Sequence, residues 1–366
     1  MIANVLVTSA GGIVGQGIIK ALKLSNKSAA TSPVTYNIFG TDMNPLATGL
    51  YRCNTGMLVP PATSPDYIDF IIGVCKNNNI SAIFVGSDGE LLTLAAAREK
   101  IERESGAKVL SGPSDILSIA RDKWKTYEFC KANNIPFADS ALPPDSEQFV
   151  REFGFPVVVK PREGYGSVHF NIVHNRMQME QVISEIEAAG WRPIIQRYLG
   201  HDIKHNLDGI DGANEFTTGI TVDKTGKRVM SSISIKKILK AGQTHKALID
   251  DFPGIRKPAE AVALKLNAAG PINVQAKLEG DTPVVFEINP RLSATCAMRA
   301  FAGVNEPDII YRNFLRDEEI KVDSYQKLVC LRYLNEVYVP FSVYSRVLVD
   351  KEISNSERGS FIPDYF

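Results

Sequence analysis

The sequence predicts a doubly wound α/β domain at the N-terminus, followed by an α+β domain. In the first hundred residues, short apolar runs such as residues 5–7 and 36–40 alternate with stretches of helical periodicity. Such alternation is typical of a parallel sheet with helices on both faces. From residue 155 onward, apolar runs are separated by polar turns at residues 223–227 and 279–282, which indicates antiparallel hairpins.

The composition disfavours a role with nucleic acid or membranes. The 366 residues include 41 Lys and Arg and 41 Asp and Glu, so no net basic field attracts nucleic acid or an anionic membrane. No apolar stretch approaches the roughly 20 residues of a membrane span, and no basic leader of a signal peptide begins the chain. Five widely spaced cysteines lack metal or redox spacing and are expected to be reduced thiols. We expect a cytoplasmic protein with small-molecule partners, with a homodimer as an open alternative.

A glycine-rich turn follows the first predicted strand. Residues 8–17, TSAGGIVGQG, lead into a stretch of helical periodicity. A strand, a glycine turn and a helix in this order present backbone amides to a negative group. The four glycines nearly form the dinucleotide fingerprint, and Asp42 stands where that fold places a ribose carboxylate. A site for NAD is one interpretation of this turn, and a pocket for a small polar molecule is the other.

The strongest chemical signal lies in the predicted hairpin of residues 272–289. If its turn centres on Asp281, Gln275 lies opposite Glu287 and shares a face of the sheet with it. Asn289, two residues further along, joins that face. These side chains offer oxygen ligands suited to Mg²⁺ bound together with substrate phosphates, and a solvated polar face is the alternative. The opposite face is expected to be an apolar core stripe: Val284, Phe286 and Ile288.

The second signal is the stretch FPVVVKPREGYGSVHF, residues 155–170. Lys160 ends a run of buried type, and its ammonium needs a negative partner if the strand end is covered. Gly164, Gly166 and Ser167 then form a turn with free amides and a hydroxyl, which can fold over phosphates. A strand-end lysine that reaches solvent, followed by an ordinary hairpin turn, is the alternative interpretation.

Together these motifs resemble the ATP-grasp superfamily, because a lysine strand and a glycine loop precede the hairpin residues and Arg291 by more than a hundred residues. The sequence is similar to the synthetase domains of carbamoyl phosphate synthetase large subunits and to single-copy ATP-grasp ligases, over about residues 1–305. The resemblance implies an α/β and α+β protein with a doubly wound, Rossmann-like pre-ATP-grasp domain before a two-subdomain ATP-grasp fold. The domain limits that it implies are 1–113 for the pre-ATP-grasp domain, 114–195 and 196–305 for the two subdomains, and 306–366 for a C-terminal extension of unclear role.

The resemblance also implies site residues, with ATP and two Mg²⁺ ions as cofactors. The implied nucleotide contacts are Lys123, Lys160, Gly164, Gly166, Ser167, Gln196, Arg197, Tyr198, Leu199 and Glu215. The implied magnesium ligands are Gln275, Glu287 and Asn289, and the implied catalytic residues are Arg291 and Lys160. Residues 196–199 match the hinge that meets adenine, Glu215 matches the ribose carboxylate, and Arg291 matches the arginine at the transferred phosphoryl group.

Two regions depart from the family's pattern. Residues 201–214 are longer than the usual hinge connection, and Asp202 competes with Glu215 for the ribose position. A metal cluster formed by the His and Asp side chains of this connection is a further hypothesis beside a solvated loop. Thr244 and His245 follow Lys236, Lys237 and Lys240 in a region that borders the acyl phosphate in relatives. There, substrate binding and a mobile charged loop are both open.

The resemblance suggests a role for the glycine-rich turn as well. In this family the N-terminal domain does not bind the dinucleotide, so residues 8–17 would face the acceptor cleft. The residues expected to line a pocket for a small polar substrate are Gly11, Gly12, Ser87, Asp88 and Glu90. Ordinary turn and helix-cap chemistry is the alternative.

The function that the resemblance implies is an ADP-forming carbon–nitrogen ligase. A carboxylate would be activated as an acyl phosphate and then attacked by an amine or ammonia. One copy of the ATP-grasp unit argues against complete carbamoyl phosphate synthesis, which uses two copies in the relatives. An ATP-binding sensor or assembly protein is the second hypothesis, and an NAD-dependent oxidoreductase is the third. The C-terminal extension is expected to cover a sheet edge or to form an oligomer contact.

Overall fold

A computed structural model describes residues 1–27, 32–164, 168–200, 213–240, 242–333 and 335–354. The N-terminal part of the chain is built on five parallel strands: β1 (Ile2–Val7), β2 (Thr35–Asp42), β3 (Thr55–Leu58), β4 (Ala82–Phe84) and β5 (Lys108–Val109). Their order in the sheet is β3-β2-β1-β4-β5. The strand order reverses at β1, which is characteristic of a doubly wound fold.

Helices cover both faces of this sheet, because successive residues of each strand point to opposite sides. Val7 packs with Ile18 on one face, whereas Leu6 packs with Ile71 and Leu94 on the other. The helices of this part are α1 (Ile13–Lys27), α2 (Tyr67–Asn77), α3 (Asp88–Ala96) and α4 (Arg98–Ser105). The sheet is therefore buried on both sides, as its apolar runs predicted.

A four-stranded antiparallel sheet follows in the chain. Four helices accompany it: α5 (Ser114–Arg121), α6 (Lys123–Ala132), α7 (Ser146–Phe153) and α8 (Arg176–Ala188). Its strands are β6 (Ser140–Ala141), β7 (Val157–Pro161), β8 (Asn171–Val173) and β9 (Pro193–Arg197), in the order β6-β9-β7-β8. Val157 and Val159 pack with Phe149 of α7 and Ile186 of α8. The alternation in β7 therefore turns Lys160 to the opposite face of the sheet.

The largest antiparallel sheet has six strands. They are β10 (Phe216–Val222), β11 (Val229–Lys240), β12 (Gln243–Ile249), β13 (Gly270–Glu279), β14 (Thr282–Asn289) and β15 (Leu328–Leu331), in the order β14-β13-β10-β11-β12-β15. One face packs on α9 (Pro253–Lys265), α5 and α6. Part of the other face packs on α10 (Cys296–Phe301) and α11 (Glu306–Arg316). The predicted turns at residues 223–227 and 279–282 join β10 to β11 and β13 to β14.

The C-terminal segment adds strands to two sheet edges. β15 pairs with β12, and β16 (Glu352–Ser354), which follows α12 (Phe341–Asp350), pairs antiparallel with β3. Covering of a sheet edge, one of the two alternatives for this segment, is thus what the described residues do. The α/β and α+β architecture agrees with the predicted fold class. In the part of the chain that the structure describes, no helix has the length and apolar character needed to cross a bilayer.

A buried ion pair joins α10 to α11. Arg299 Nε donates to Glu306 Oε2 at 2.9 Å, and the two residues are 0% and 1% exposed. The remaining nitrogens of Arg299 donate to Ser293 Oγ and Thr295 Oγ1. Gly219 of β10 leaves room for this pair, because a Cβ there would lie 2.3 Å from Glu306 Oε1. The pair therefore holds the residues that precede α10 against the sheet.

Replacing Arg299 by Met is expected to lower the free energy of unfolding by about 3–5 kcal/mol, because it leaves the Glu306 carboxylate buried without a counter-charge. The measurement is urea unfolding followed by circular dichroism. The matched control is Arg316→Met on α11, whose ion pair with Glu318 is partly exposed and is expected to contribute less than about 1 kcal/mol. Equal losses in the two variants would contradict the prediction.

Candidate active site

A cleft of about 400 Å³ lies between the four-stranded and the six-stranded sheet. Its lining combines apolar side chains with charged and amide groups. The four-stranded sheet contributes Val158, Lys160, Ile172 and Gln196. The six-stranded sheet contributes Thr217, Lys237, Asn273, Gln275, Lys277, Phe286, Glu287 and Asn289. Ile13 and Val14 at the start of α1 also line it, as do Arg291, Ser293, Ala294 and Thr295 after β14, so the N-terminal domain borders this cleft.

The β13–β14 hairpin gathers the three oxygen donors predicted from the sequence. Gln275 pairs with Glu287, and Asn273 pairs with Asn289, so the predicted pairing is confirmed. The turn that produces this pairing differs from the predicted one, because residue 279 pairs with residue 282. A regular ladder that started from this turn would set Gln275 opposite Phe286. An irregularity at Phe286 leaves one extra residue in β14 and shifts the register. This bulge turns Glu287 and Asn289 to the face of Gln275.

The same bulge corrects the predicted core stripe. Val284, Phe286 and Ile288 were expected on one face, away from the carboxylate. Instead, Val284 and Phe286 pack with Leu199, and Phe286 lines the cleft beside Glu287. Ile288 packs in the core under α9 together with Val285. The expected stripe is therefore wrong for two of its three members, since an extra residue reverses the alternation along the strand.

A chain of polar contacts crosses the floor of the cleft. Lys237 Nζ lies 3.0 Å from Glu215 Oε1 and donates to Gln275 Oε1 at 2.6 Å. Gln275 Nε2 donates to Glu287 Oε2 at 2.9 Å. In the sequence, Lys237 was singled out only as part of the basic run before Thr244, without a role of its own, and here it contacts Glu215 and Gln275. Glu215, the residue for which a ribose contact was predicted, is thus held by an ion pair with Lys237.

The donor set fits a divalent cation that is bound together with phosphates. Glu287 supplies one carboxylate, and Gln275 and Asn289 supply amide oxygens, although Gln275 Oε1 also accepts the hydrogen bond from Lys237. Among the described residues, no group of three or more His, Cys, Asp and Glu side chains is placed to hold a metal. A cation here would take its other ligands from phosphate oxygens and water, as Mg²⁺ does. The metal role of the three residues stays a prediction.

Lys160 projects into the cleft from β7, and it is only 7% exposed. Among the described residues its ammonium has no hydrogen-bond partner and no ion pair. Burial, followed by repulsion from Lys123, lowers the pKa of Lys160 to about 7, whereas Glu287 and Glu215 act in the opposite direction. A buried cation in this setting is suited to a negatively charged ligand.

Lys123 lies at the start of α6 and faces the same cleft. Its backbone N–H and its Nζ both donate to the carbonyl oxygen of Arg162, at 3.0 and 3.3 Å. Asp122, which caps α6 through the Trp124 amide, forms a bidentate ion pair with the Arg162 guanidinium. These contacts fix Lys123 beside Lys160 and keep the Asp122 charge paired with Arg162.

Some of the residues predicted at the nucleotide fall outside the described ranges. Gly164 lines the cleft, whereas Gly166 and Ser167 lie outside the described residues. Asp202 and the predicted alternative metal cluster of the 201–214 connection, formed by its His and Asp side chains, also lie outside them. The phosphate-loop prediction therefore rests on Gly164 alone in this structure.

The predicted hinge residues lie along the cleft at the end of β9. Gln196, Arg197, Tyr198 and Leu199 all line it. Gln196 Nε2 donates to Ser140 Oγ at 3.1 Å, and Arg197 forms ion pairs with Asp139 and Glu279. Arg197 thereby links the four-stranded sheet to the β13–β14 hairpin. Contact with adenine stays a prediction for these residues.

Lys277 is a cleft residue that the sequence analysis did not single out. Its Nζ donates to the Leu199 carbonyl at 3.0 Å and lies 5.8 Å from the centre of the Tyr198 ring. Burial, with Glu215 opposing and Lys237 adding to the effect, lowers its pKa. A signal was available, because Lys277 is two residues from Gln275 and therefore shares its face of β13.

Arg291 binds a carboxylate of the N-terminal domain. Its Nε and Nη2 donate to Asp88 Oδ1 and Oδ2 at 2.8 and 2.6 Å, and Nη2 lies 3.4 Å from Asn289 Oδ1. Burial opposes both charges, but the pairing outweighs it, so the pKa of Asp88 is lowered and the pKa of Arg291 is raised. Arg291 lines the cleft, and two of its donors are engaged by Asp88 in this structure. Its role at a transferred phosphoryl group stays a prediction.

The amides of the glycine-rich turn have partners within the domain. Gly11 N–H donates to Asp42 Oδ2 at 2.9 Å, Gly12 N–H donates to the Ser9 carbonyl, and Ala10 N–H donates to the Thr41 carbonyl. The carboxylate predicted as a ribose contact is thus bound by the turn itself, which disfavours a dinucleotide there. A Cβ at Gly11 would lie 2.5 Å from Ala47 Cβ, so close packing also requires this glycine.

Glu90 is a buried hub that connects two loops. Its Oε2 accepts from Ser9 Oγ and Ser87 Oγ at 2.7 and 3.0 Å, and its Oε1 accepts from the Tyr67 hydroxyl at 2.8 Å. Ser87 Oγ also accepts from the Glu90 amide at the start of α3. Among the described residues, none of the five predicted substrate contacts lines the cleft itself: Gly11, Gly12, Ser87, Asp88 and Glu90. Their substrate role stays a prediction. In this structure Gly11, Gly12, Ser87 and Glu90 make contacts within the turn and at the start of α3, whereas Asp88 pairs with Arg291.

The adjoining ends of β11 and β12 border the cleft. Leu239, Gly242, Gln243 and Thr244 line it, whereas His245 is not among its lining residues. The His245 carbonyl instead accepts from the Arg332 amide, next to the β12–β15 pairing. Of the two residues proposed in this region, Thr244 is therefore the one placed at the cleft.

Two family models match separate parts of the chain. Residues 5–110 match the family described as PylC-like, N-terminal domain. Residues 213–337 match the family described as ATP-grasp in the biosynthetic pathway with Ter operon. The second match contains the hairpin with Gln275, Glu287 and Asn289. The protein has the ATP-grasp fold. The resemblance predicted from the sequence is confirmed.

The curated relatives of the chain include large chains of carbamoyl phosphate synthase. The Archaeoglobus fulgidus protein is 26% identical over 253 residues, which are 67% of this chain and 22% of that protein. The Streptomyces avermitilis protein is 23% identical over 303 residues, which are 80% of this chain and 27% of that protein. The chain thus spans only about a quarter of the length of these relatives.

Solved structures confirm the fold. N5-carboxyaminoimidazole ribonucleotide synthetase from Thermus thermophilus is 16% identical with a TM-score of 0.63, over 95% of this chain and 87% of that one. The biotin carboxylase domain dimer of Hydrogenobacter thermophilus 2-oxoglutarate carboxylase is 14% identical with a TM-score of 0.66, over 92% and 79%. That domain was crystallised with MgADP and bicarbonate.

Lys160 is expected to titrate near pH 7, and Glu287→Gln is expected to lower its pKa further by removing a favourable negative charge. The measurement is an NMR titration of the chain with ¹³C-dimethylated lysines, in which Lys160→Arg identifies the signal. Asp281→Asn, at the exposed turn of the same hairpin, is the control and is expected to leave the midpoint in place. A midpoint above pH 9 in the unsubstituted chain would refute the proposed environment of Lys160.

Proposed function

We propose that the chain is an ADP-forming ligase that joins a carboxylate to an amine or to ammonia, using ATP and two Mg²⁺ ions. The observation that carries the proposal is that basic side chains and oxygen donors line the same cleft from two different sheets. Lys160 and Lys123 stand on one side, and the Gln275, Glu287 and Asn289 oxygens stand on the other. Cations and oxygen donors arranged in this way suit a nucleotide triphosphate with its metal.

The proposed reaction proceeds in two steps that need no protein nucleophile. In the first, a carboxylate oxygen attacks the γ-phosphorus, so an acyl phosphate forms and ADP leaves. In the second, the amine attacks the acyl carbon, and inorganic phosphate leaves. Such phosphoryl transfer depends on positioning and charge neutralisation more than on covalent catalysis.

The residues of this chain have separate tasks in that scheme. Lys160 and Lys123 hold the phosphates. Burial and the neighbouring Lys123 lower the pKa of Lys160, and a bound phosphate would supply the negative partner that favours its charged form. Glu287 and Asn289 hold the metal, with Gln275 positioned by Lys237. Mg²⁺ bound there would neutralise and orient the phosphate oxygens.

The lining of the cleft suggests which end would take the adenine base and which end would take the acceptor substrate. Leu199, Phe286, Val158 and Ile172 form apolar walls suited to a purine ring. The opposite end is bordered by Ile13 of α1 and by Arg291, Ser293, Ala294 and Thr295, which supports an acceptor position near the N-terminal domain. The Arg291–Asp88 pair lies at that border and is proposed to align the acceptor side with the phosphates.

The alternative functions receive less support. An NAD-dependent oxidoreductase needs free amides at the glycine turn, and the Gly11 amide is taken by Asp42. An ATP-binding sensor needs no catalytic metal ligands, yet the three oxygen donors share one face of the hairpin. The ligase remains the proposal that uses all of these features.

With Mg²⁺ and ATP, the chain is expected to release ADP and phosphate in equal amounts when the matching carboxylate and amine are supplied. Glu287→Gln is expected to reduce this rate by about a hundredfold or more, since it removes the only carboxylate of the metal set. The measurement is ADP release with pools of amino acids, small carboxylates, ammonia and bicarbonate, and with mass spectrometry of the amide product.

The control for this assay is Asp281→Asn, which changes one carboxylate to an amide in the same hairpin at an exposed turn. Its rate is expected to equal that of the unsubstituted chain. Release of AMP and pyrophosphate would refute the ADP-forming reaction. Tight binding of ATP with no stimulation by any pool would favour the sensor over the ligase.

A further inference from the structure

Three basic side chains from distant parts of the sequence lie together outside the nucleotide cleft. Lys20 belongs to α1, Arg52 ends the 3-10 turn Leu50–Arg52, and Arg332 directly follows β15. Arg52 and Arg332 are both near enough to Lys20 to repel its ammonium, so that they add to burial in lowering its pKa. The three residues are called the basic cluster below.

The cluster adjoins the acceptor end of the cleft through Ala294. Arg332 Nη2 donates to the Ala294 carbonyl at 2.7 Å. A Cβ at Gly17, one turn before Lys20 on α1, would lie 3.4 Å from the same oxygen and 3.1 Å from Cys296 Sγ. Ala294 itself lines the cleft. The helix, the loop before α10 and the C-terminal segment therefore converge at one point.

The basic cluster has no acidic partner in the part of the chain that the structure describes. There, the side chains of Lys20 and Arg52 make no hydrogen bond or ion pair, and Arg52 Nε is buried without an acceptor. The groups that oppose the lowered pKa of Lys20 and Arg332 are the thiols of Cys330 and Cys296. Arg291 and Arg299 differ from the cluster, since each of them binds a carboxylate.

Unpaired cations that are partly removed from water are costly, and a bound anion relieves that cost. Guanidinium groups in particular present paired donors that match the oxygens of a carboxylate or a phosphate. The cluster draws one cation from each of three chain segments, so its composition reflects the tertiary fold and not a local run of charge.

We propose that Lys20, Arg52 and Arg332 bind an oxyanion, either a carboxylate or a phosphate group, that the acceptor substrate carries away from its reacting end. The site explains why a C-terminal segment is folded back against β12: it brings Arg332 to the loop before α10. Assignment of the oxyanion to the acceptor rests on the proposed ligase function, whereas the anion site itself does not.

The first test is calorimetric titration of inorganic phosphate into the full chain. The solution contains the magnesium complex of β,γ-methylene-ATP, which keeps phosphate out of the nucleotide site. Lys20→Met and Arg52→Met are each expected to weaken phosphate binding by about tenfold or more. Lys27→Met removes an equal charge from the last turn of the same helix and is expected to leave the affinity unchanged.

Burial of part of the Lys20 side chain lowers its pKa, but the residue keeps much of its surface in solvent, so the Lys20→Met chain is expected to fold even if Arg52→Met does not. Equal phosphate affinity in Lys20→Met and Lys27→Met would overturn the proposal. If the nucleotide analogue fails to bind, the proposed function fails, but the comparison of the two lysine variants still decides the anion site, because Lys20 lies outside the cleft.

The second test identifies the source of the oxyanion. The acceptor that stimulates ADP release is expected to displace phosphate, and Lys20→Met is expected to raise the KM for that acceptor by about tenfold with kcat unchanged. An acceptor that binds without displacing phosphate would overturn the assignment to the acceptor and identify the oxyanion as a separate ligand.

Discussion

The one-residue bulge at Phe286 is the constraint on which the candidate site depends. Without it, the tight turn of the hairpin would send Glu287 and Asn289 into the core under α9, where neither has a polar partner. With it, a carboxylate and an amide join Gln275 in the cleft, and Phe286 becomes an apolar wall beside Leu199. One inserted residue thus creates both the polar and the apolar surface of this wall.

Charge in the cleft is distributed between the two sheets. On the six-stranded side, Lys237 pairs with Glu215, and Gln275 donates to Glu287. Lys160 on the four-stranded sheet has no carboxylate partner among the described residues, and its pKa is low. Attraction across the cleft from Glu287 and Glu215 only partly offsets the cost of burying Lys160. The arrangement is therefore poised for a ligand that brings several negative charges and a divalent cation together.

Two arginines connect this cleft to the rest of the molecule. Arg291 ties the end of β14 to Asp88 at the start of α3, and Arg299 ties the loop before α10 to Glu306. The doubly wound domain thereby borders the cleft, although the amides of its glycine turn are bound to Asp42 and to backbone carbonyls. The glycine turn, which resembles a nucleotide-binding fingerprint, therefore serves packing within its own domain in this structure.

The sequence by itself determined the fold class, the hairpin with its oxygen donors and the lysine at the end of β7, because periodicity and turn chemistry are local properties. It could not reveal the bulge at Phe286, since nothing in the run VVFEIN marks an extra residue. Nor could it show that Lys237 contacts both Glu215 and Gln275, that Arg332 reaches the loop before α10, or that Asp88 is bound to Arg291. Those contacts join residues far apart in the chain, and only the packing of the sheets and of the C-terminal segment brings them together.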